Sequence, residues 1–111
     1  MAESVKPSIA WVYVTASCEE EAVRLARVMV EERLAACANV LGSVRSIYRW
    51  EGELRDEQEV AFILKTTDDR FGALEERLHM LHSYASPCIL SFSASGGAEA
   101  FMKWVRGELP R

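Results

Sequence analysis

The chain has 111 residues and a mass of 12.5 kDa, which is room for one domain; half of its residues are hydrophobic and 27% are charged, a composition that excludes disorder, collagen-like repeats and a coiled coil. Seventeen acidic against 13 basic side chains leave a net charge of −4 with no two basic residues adjacent, so no nucleic acid is expected as partner, because a phosphate backbone binds clustered Lys and Arg. The longest apolar stretch, Ile9 to Val14, is far below the roughly 20 residues of a membrane helix, and Met1 to Ser8 lack the charged start and apolar region of a secretory signal, so no membrane partner and a cytoplasmic location are expected.

Residues 1–8 read as a flexible polar leader before a single domain over 9–111. Ile9 to Thr15 is rich in β-branched and aromatic residues, as in a strand covered on both faces at the middle of a sheet. Ser17 then offers a helix N-cap with Glu20 three positions on, a capping-box spacing. Val23, Ala26, Val30, Leu34 and Cys37 step by three and four as the expected core stripe of that helix, with Glu20, Arg24, Arg27 and Glu31 outside; Glu20 and Arg24 have the favourable orientation for an ion pair. From Val40 to Trp50 the period shortens toward two, placing Val40, Val44, Tyr48 and Trp50 on one side and Leu41, Ser43, Arg45 and Arg49 on the other, with Ile47 breaking the pattern. Glu51-Gly52 reads as the turn of a hairpin whose second arm, Leu54 to Thr66, puts Leu54, Val60, Phe62 and Leu64 on one face. Each arm exceeds ten residues, about twice the usual strand. The distal half therefore projects beyond a small sheet, and Tyr48 and Trp50 near its tip are apolar surface that needs a cover.

Thr67 with Asp68 and Asp69 caps a second helix, in which Phe71, Leu74, Leu78 and Leu81 form the buried stripe, and Pro87 closes the segment after it. Cys88 to Ala94 is the fourth strand, with Cys88, Leu90 and Phe92 on one face. After Ser95-Gly96-Gly97, the residues Ala98, Phe101 and Val105 define a short C-terminal helix. The order strand, helix, strand, strand, helix, strand is a split βαβ arrangement in the α+β class. Right-handed crossovers leave a gap between the first and second strands that the third fills, with both long helices on one face. The other face, carrying Trp11, Tyr13, Tyr48 and Trp50, is expected to be covered by a partner chain.

No complete catalytic set emerges. Cys18 lies at a helix start, which lowers a thiol pKa, but Glu19, Glu20 and Glu21 oppose a thiolate there. Cys37 and Cys88 read as small buried hydrophobes, and three widely spaced cysteines fit reduced thiols. His79 sits among Glu75 and Glu76 on a polar helix side, whereas His82 ends the helix beside Tyr84 and is the candidate metal ligand. The acidic residues Glu51, Glu53, Asp56, Glu57 and Glu59 keep a projecting ribbon soluble and block stray edge pairing.

Four separated motifs, Leu34-Ala-Ala-Cys-Ala-Asn39, Ser46-Ile-Tyr-Arg-Trp-Glu-Gly52, Glu59 to Thr66 and His82-x-Tyr84-x-x-Pro87, stand in the order and spacing of the CutA divalent-cation tolerance family, which the chain resembles over about residues 9–107. The resemblance implies a ferredoxin-like fold and a compact homotrimer related in architecture to the PII signalling proteins, with long hairpins pairing between subunits. It also implies binding of Cu²⁺ or another divalent cation and no enzymatic reaction. Metal-ligand positions proposed for some members fall on Val14, Leu81 and His82, of which His82 alone can coordinate. The family segment Pro-Tyr-Glu-x-Pro-Glu carries Ser83, Ala85 and Cys88 in place of its first Pro and both Glu, leaving Cys88 as a soft donor if it faces His82. The expected ligand site is an inter-subunit cleft lined by Tyr48, Trp50, Lys65, His82 and Tyr84. An alternative is a PII-like sensor of a small anionic metabolite or nucleotide, with Lys65 as the recognising cation; a third is a stable oligomer that has lost its ligand.

Overall fold

Alternating and continuous apolar runs assemble into a four-stranded antiparallel sheet. The structure, a computed structural model, describes residues 6–110; Met1 to Val5 of the expected leader lie outside the described residues. Its elements are β1 (Ile9–Ala16), α1 (Glu19–Glu31), β2 (Cys37–Trp50), β3 (Glu53–Thr67), α2 (Phe71–Leu81), β4 (Ile89–Ser93) and α3 (Glu99–Glu108), with a 3₁₀ turn at Asp68–Arg70 leading into α2. The sheet order is β2-β3-β1-β4, the split βαβ topology expected, with β1 running from Ile9 opposite Thr67 to Ala16 opposite Val60. Pro7 and Ser8 are tied down, since Arg106 Nε donates to the Pro7 carbonyl and the Asp68 N–H to that of Ser8.

One face of the sheet carries the main core. Val12 and Val14 of β1 and Phe62 and Leu64 of β3 pack with Leu25 and Met29 of α1 and Leu74 and Leu78 of α2, all fully buried. The α2 stripe matches the expectation, with Phe71 and Leu81 packed partly buried at its ends. The α1 stripe matches only at Ala26. Ala22, Leu25, Ala26 and Met29 face inward, whereas Val23 and Val30 are both 36% exposed. The apolar surface of this helix is wide, and the larger Leu25 and Met29 take the inside. Leu34 and Cys37 lie beyond α1 altogether, because the chain leaves the helix at Arg33 with φ 58°. The helix start also shifts by one residue. Cys18 is extended and precedes the first helical residue, so Glu21, not Glu20, reaches back to the Ser17 N–H and hydroxyl (3.0 and 2.8 Å), and Arg24 sits 3.8 Å from Glu21.

The hairpin is continuous from Cys37 opposite Lys65 to Trp50 opposite Glu53. Glu51 and Gly52 both take positive φ, 50° and 80°, the type I′ geometry whose twist matches the flanking strands. A β-bulge between Val40 and Gly42 inserts one extra residue. It reverses the facing of everything distal to it: Val40, opposite Phe62, lies on the helix side, whereas Val44, Tyr48 and Trp50 lie on the other face. The four residues therefore do not share a side, and Ile47 is in step with Arg45 and Arg49. The ribbon stretches the chain to 57 × 26 × 24 Å with a radius of gyration of 15.3 Å, against about 13 Å for a compact chain near this length.

The second face of the sheet is not left entirely bare. α3 packs against β3 and β1, and its Val105 builds a small core with Ile9, Ala36 and Leu109. Elsewhere on this face, Trp11 and Phe92 meet edge to face at 5.5 Å and remain 38% and 49% exposed. Cys88 lies just before β4 and is exposed rather than buried. Among the described residues no helix is long and apolar enough to cross a membrane.

Candidate functional site

Distal to the bulge, the register places Val44, Ser46 and Tyr48 opposite Glu59, Glu57 and Arg55. These side chains share one face of the ribbon. The segment joining α2 to β4 faces them, and between the two lies a cleft of about 720 Å³ whose lining includes Tyr13, Tyr48, Trp50, Tyr84 and Cys88. Two tyrosine–carboxylate pairs mark its floor. The Tyr48 hydroxyl donates to Glu57, and the Tyr84 hydroxyl donates to Glu59 Oε2 at 3.0 Å.

Each pair keeps its phenol neutral. The hydrogen bond to Glu57 raises the Tyr48 pKa above its ordinary value; burial, then the bond to Glu59, raises that of Tyr84 further. Burial and the Glu59 charge push the Cys88 thiol up as well, so it stays protonated at neutral pH. Two adjacent carboxylates make the cleft anionic, with Arg55 also in its lining, and an anionic floor attracts cations and repels anionic metabolites.

Of the five residues expected at the site, Tyr48, Trp50 and Tyr84 line this cleft together. Lys65 does not. It lies six residues along β3 from Glu59, about 20 Å at the rise of a strand, where its ammonium donates to Asn39 Oδ1 at 2.5 Å and stands 5.7 Å from the centre of the Phe101 ring. His82 lies behind the cleft with its side chain fully buried. Its Nδ1 accepts from the Tyr84 N–H at 3.0 Å and is therefore unprotonated. Its Nε2 faces the Thr15 carbonyl at 2.8 Å and therefore carries the proton. Both ring nitrogens are engaged, and a cation could bind His82 only by displacing one of these partners.

Among the described residues no three His, Cys, Asp or Glu side chains converge to hold a metal ion. The described residues of one chain alone do not present the donor set of a closed divalent-cation site. Sequence reasoning groups Glu57 and Glu59 with a solubilising cluster and misses their pairing with tyrosines. Their spacing of two on a strand, which puts both on one face, is the available signal. Glu21 is missed as a structural group. It is 6% exposed, and nothing in the run Glu19-Glu20-Glu21 distinguishes it before the helix rotation is known.

Comparison with known proteins agrees with this architecture. The family model described as CutA1 divalent ion tolerance protein matches residues 10–108. The divalent-cation tolerance protein CutA of Thermus thermophilus is 41% identical over 95 residues, which covers 86% of this chain and 92% of that protein. The solved structure of the divalent cation tolerance protein from Thermus thermophilus superposes with a TM-score of 0.89 at 38% identity, covering 92% of this chain and 99% of that one. The periplasmic divalent cation tolerance protein CutA from Archaeoglobus fulgidus superposes at 0.87 and 33% identity, covering 90% and 97%. By a family match across nearly its whole length, by relatives above 30% identity and by a shared fold, the chain belongs to the CutA1 divalent ion tolerance protein family.

Proposed function

We propose that the chain works without catalysis as the subunit of a homotrimer that serves divalent-cation tolerance, and that its ligand is a cation, Cu²⁺ or another divalent ion, drawn to the cleft between the hairpin and the α2–β4 segment. The observation that carries this reading is the pair of carboxylates, Glu57 and Glu59, held on one face of the ribbon by the hydroxyls of Tyr48 and Tyr84. Tyr48, Trp50 and Tyr84 form the walls, Cys88 is a soft donor at the rim, and a neighbouring subunit completes the donor set. The distal hairpin supports assembly: Ile47, Trp50 and Leu54 are 63%, 50% and 69% exposed in the single chain, a ribbon too apolar and too thin to stand alone in water. Three free cysteines support a reducing compartment, the cytoplasm, although the Archaeoglobus fulgidus relative is named periplasmic.

Calorimetric titration with Cu²⁺ and Zn²⁺ tests the cation reading. Glu57→Gln/Glu59→Gln is expected to bind at least about tenfold more weakly than wild type, and superimposable isotherms would overturn it. Light scattering tests the assembly. A mass near three times the 12.5 kDa chain is expected at micromolar concentration, and a monomer mass would overturn the trimer.

A further inference from the structure

The segment that carries Tyr84 has no regular secondary structure between the end of α2 at Leu81 and the start of β4 at Ile89. Its position depends on side chains, and these converge on Glu21. The Ser83 N–H donates to Glu21 Oε2 at 2.8 Å and the Ser83 hydroxyl to Oε1 at 3.0 Å. The Ser17 N–H and hydroxyl supply two more bonds from the start of α1. Burial alone would oppose the charge of Glu21, but these four bonds outweigh it and lower the pKa to about 2. Immediately next along the chain, His82 joins the Thr15 carbonyl at the end of β1 to the Tyr84 N–H, and its ring lies 4.8 Å from that of Tyr84.

We infer that Glu21 and His82 are positioning residues of the cleft: together they lock the 82–84 segment onto α1 and β1 so that the Tyr84 hydroxyl stands on Glu59, while neither lines the cleft itself. The step from this lock to ligand binding rests on the cleft reading above; the lock itself does not. Glu21 acts as a charged latch because a carboxylate accepts four bonds at once, and the helix N-terminus it occupies favours its negative charge. His82 acts as a two-ended spacer because its neutral ring offers one donor and one acceptor on opposite sides.

The test measures backbone hydrogen exchange in the intact protein. In Glu21→Ala, the amides of residues 83–86 and of Cys88 are expected to exchange about tenfold faster or more, the effect of losing charge-assisted hydrogen bonds in a locally opening segment, while β1 and β3 keep their protection. Ser83→Pro removes both donors at the other end of the same contact, and His82 already has the extended backbone (φ −72°, ψ 143°) that a following proline requires. It should reproduce the effect, and the double variant should exchange no faster than the faster single one, because both remove one interaction. His82→Ala should release the same amides, and His82→Gln, which keeps a donor and an acceptor, should restore protection in part. Wild-type exchange at residues 84–86 and 88 in folded Glu21→Ala or Ser83→Pro would overturn the inference. So would uniform loss of protection across β1 and β3, or failure of both variants to fold, since either means a general structural role. Faster exchange at residues 84–86 and 88 with unchanged Cu²⁺ affinity supports the lock and counts against the cleft as the cation site.

Discussion

Glu21 holds a charge at a place that water barely reaches, and this links its stability contribution to pH. Its pKa is lowered from 4.5 to about 2 on folding. A depressed carboxyl stabilises the fold at pH values above its unfolded pKa and loses that contribution as pH falls toward the folded one. Glu21→Gln is therefore expected to be less stable than wild type at about pH 5–7, with the gap closing as pH approaches about 2; urea denaturation across that range measures it. A purely apolar residue has no such dependence. Phe62 is the largest fully buried side chain, and Phe62→Ala should cost about 3–5 kcal/mol at any pH, read from the denaturation midpoint. Phe62 is legible in the sequence and Glu21 is not. Phe62 announces itself by alternation with Val60 and Leu64, whereas three consecutive glutamates are chemically identical, and which one turns inward is decided by the packing of Leu25 and Met29 further along the helix.

At the scale of elements, the hairpin turn and α2 are readable because local chemistry leaves little choice. Glu51-Gly52 between two alternating arms takes the I′ turn, and the φ of 80° at Gly52 has open space around its missing Cβ. Gly52→Ala should then cost only backbone strain, about 1–2 kcal/mol. Glu51, a non-glycine at φ 50°, is the weaker half of the turn, so Glu51→Asn is expected to raise the thermal midpoint, since Asn-Gly is the preferred pair. Scanning calorimetry checks both signs. Periodicity misassigns the face of α1 and the sides of β2 for related reasons. In α1 two neighbouring apolar stripes compete, and spacing does not say which meets the sheet. In β2 the bulge adds a residue to one strand, so parity counted from Val40 fails beyond Gly42.

At the scale of the molecule, strand order and helix placement follow from chirality and connection rules that sequence order alone supplies. The site is half legible: Tyr48, Trp50 and Tyr84 come together, but the distance of Lys65 from the cleft depends on how far along β3 each residue lies relative to a loop much later in the chain. The ribbon is the part of the chain that its own core does not support. In the proposed trimer, Trp50→Glu, near the tip of the ribbon, is expected to lower the assembled mass toward one chain while leaving the far-ultraviolet circular dichroism nearly unchanged, and an intact oligomer would place the contact elsewhere. The bulge also governs how this ribbon can change over evolutionary time. Insertions or deletions in matched pairs across the two arms move the tip in or out and leave the tyrosines and carboxylates of the cleft on their side. Losing the single extra residue at Leu41 would leave the two arms matched one for one, with Val40 still opposite Phe62, Gly42 opposite Ala61 and Tyr48 opposite Arg55, so a one-residue gap at that point is the unmatched length change this lineage could most readily tolerate.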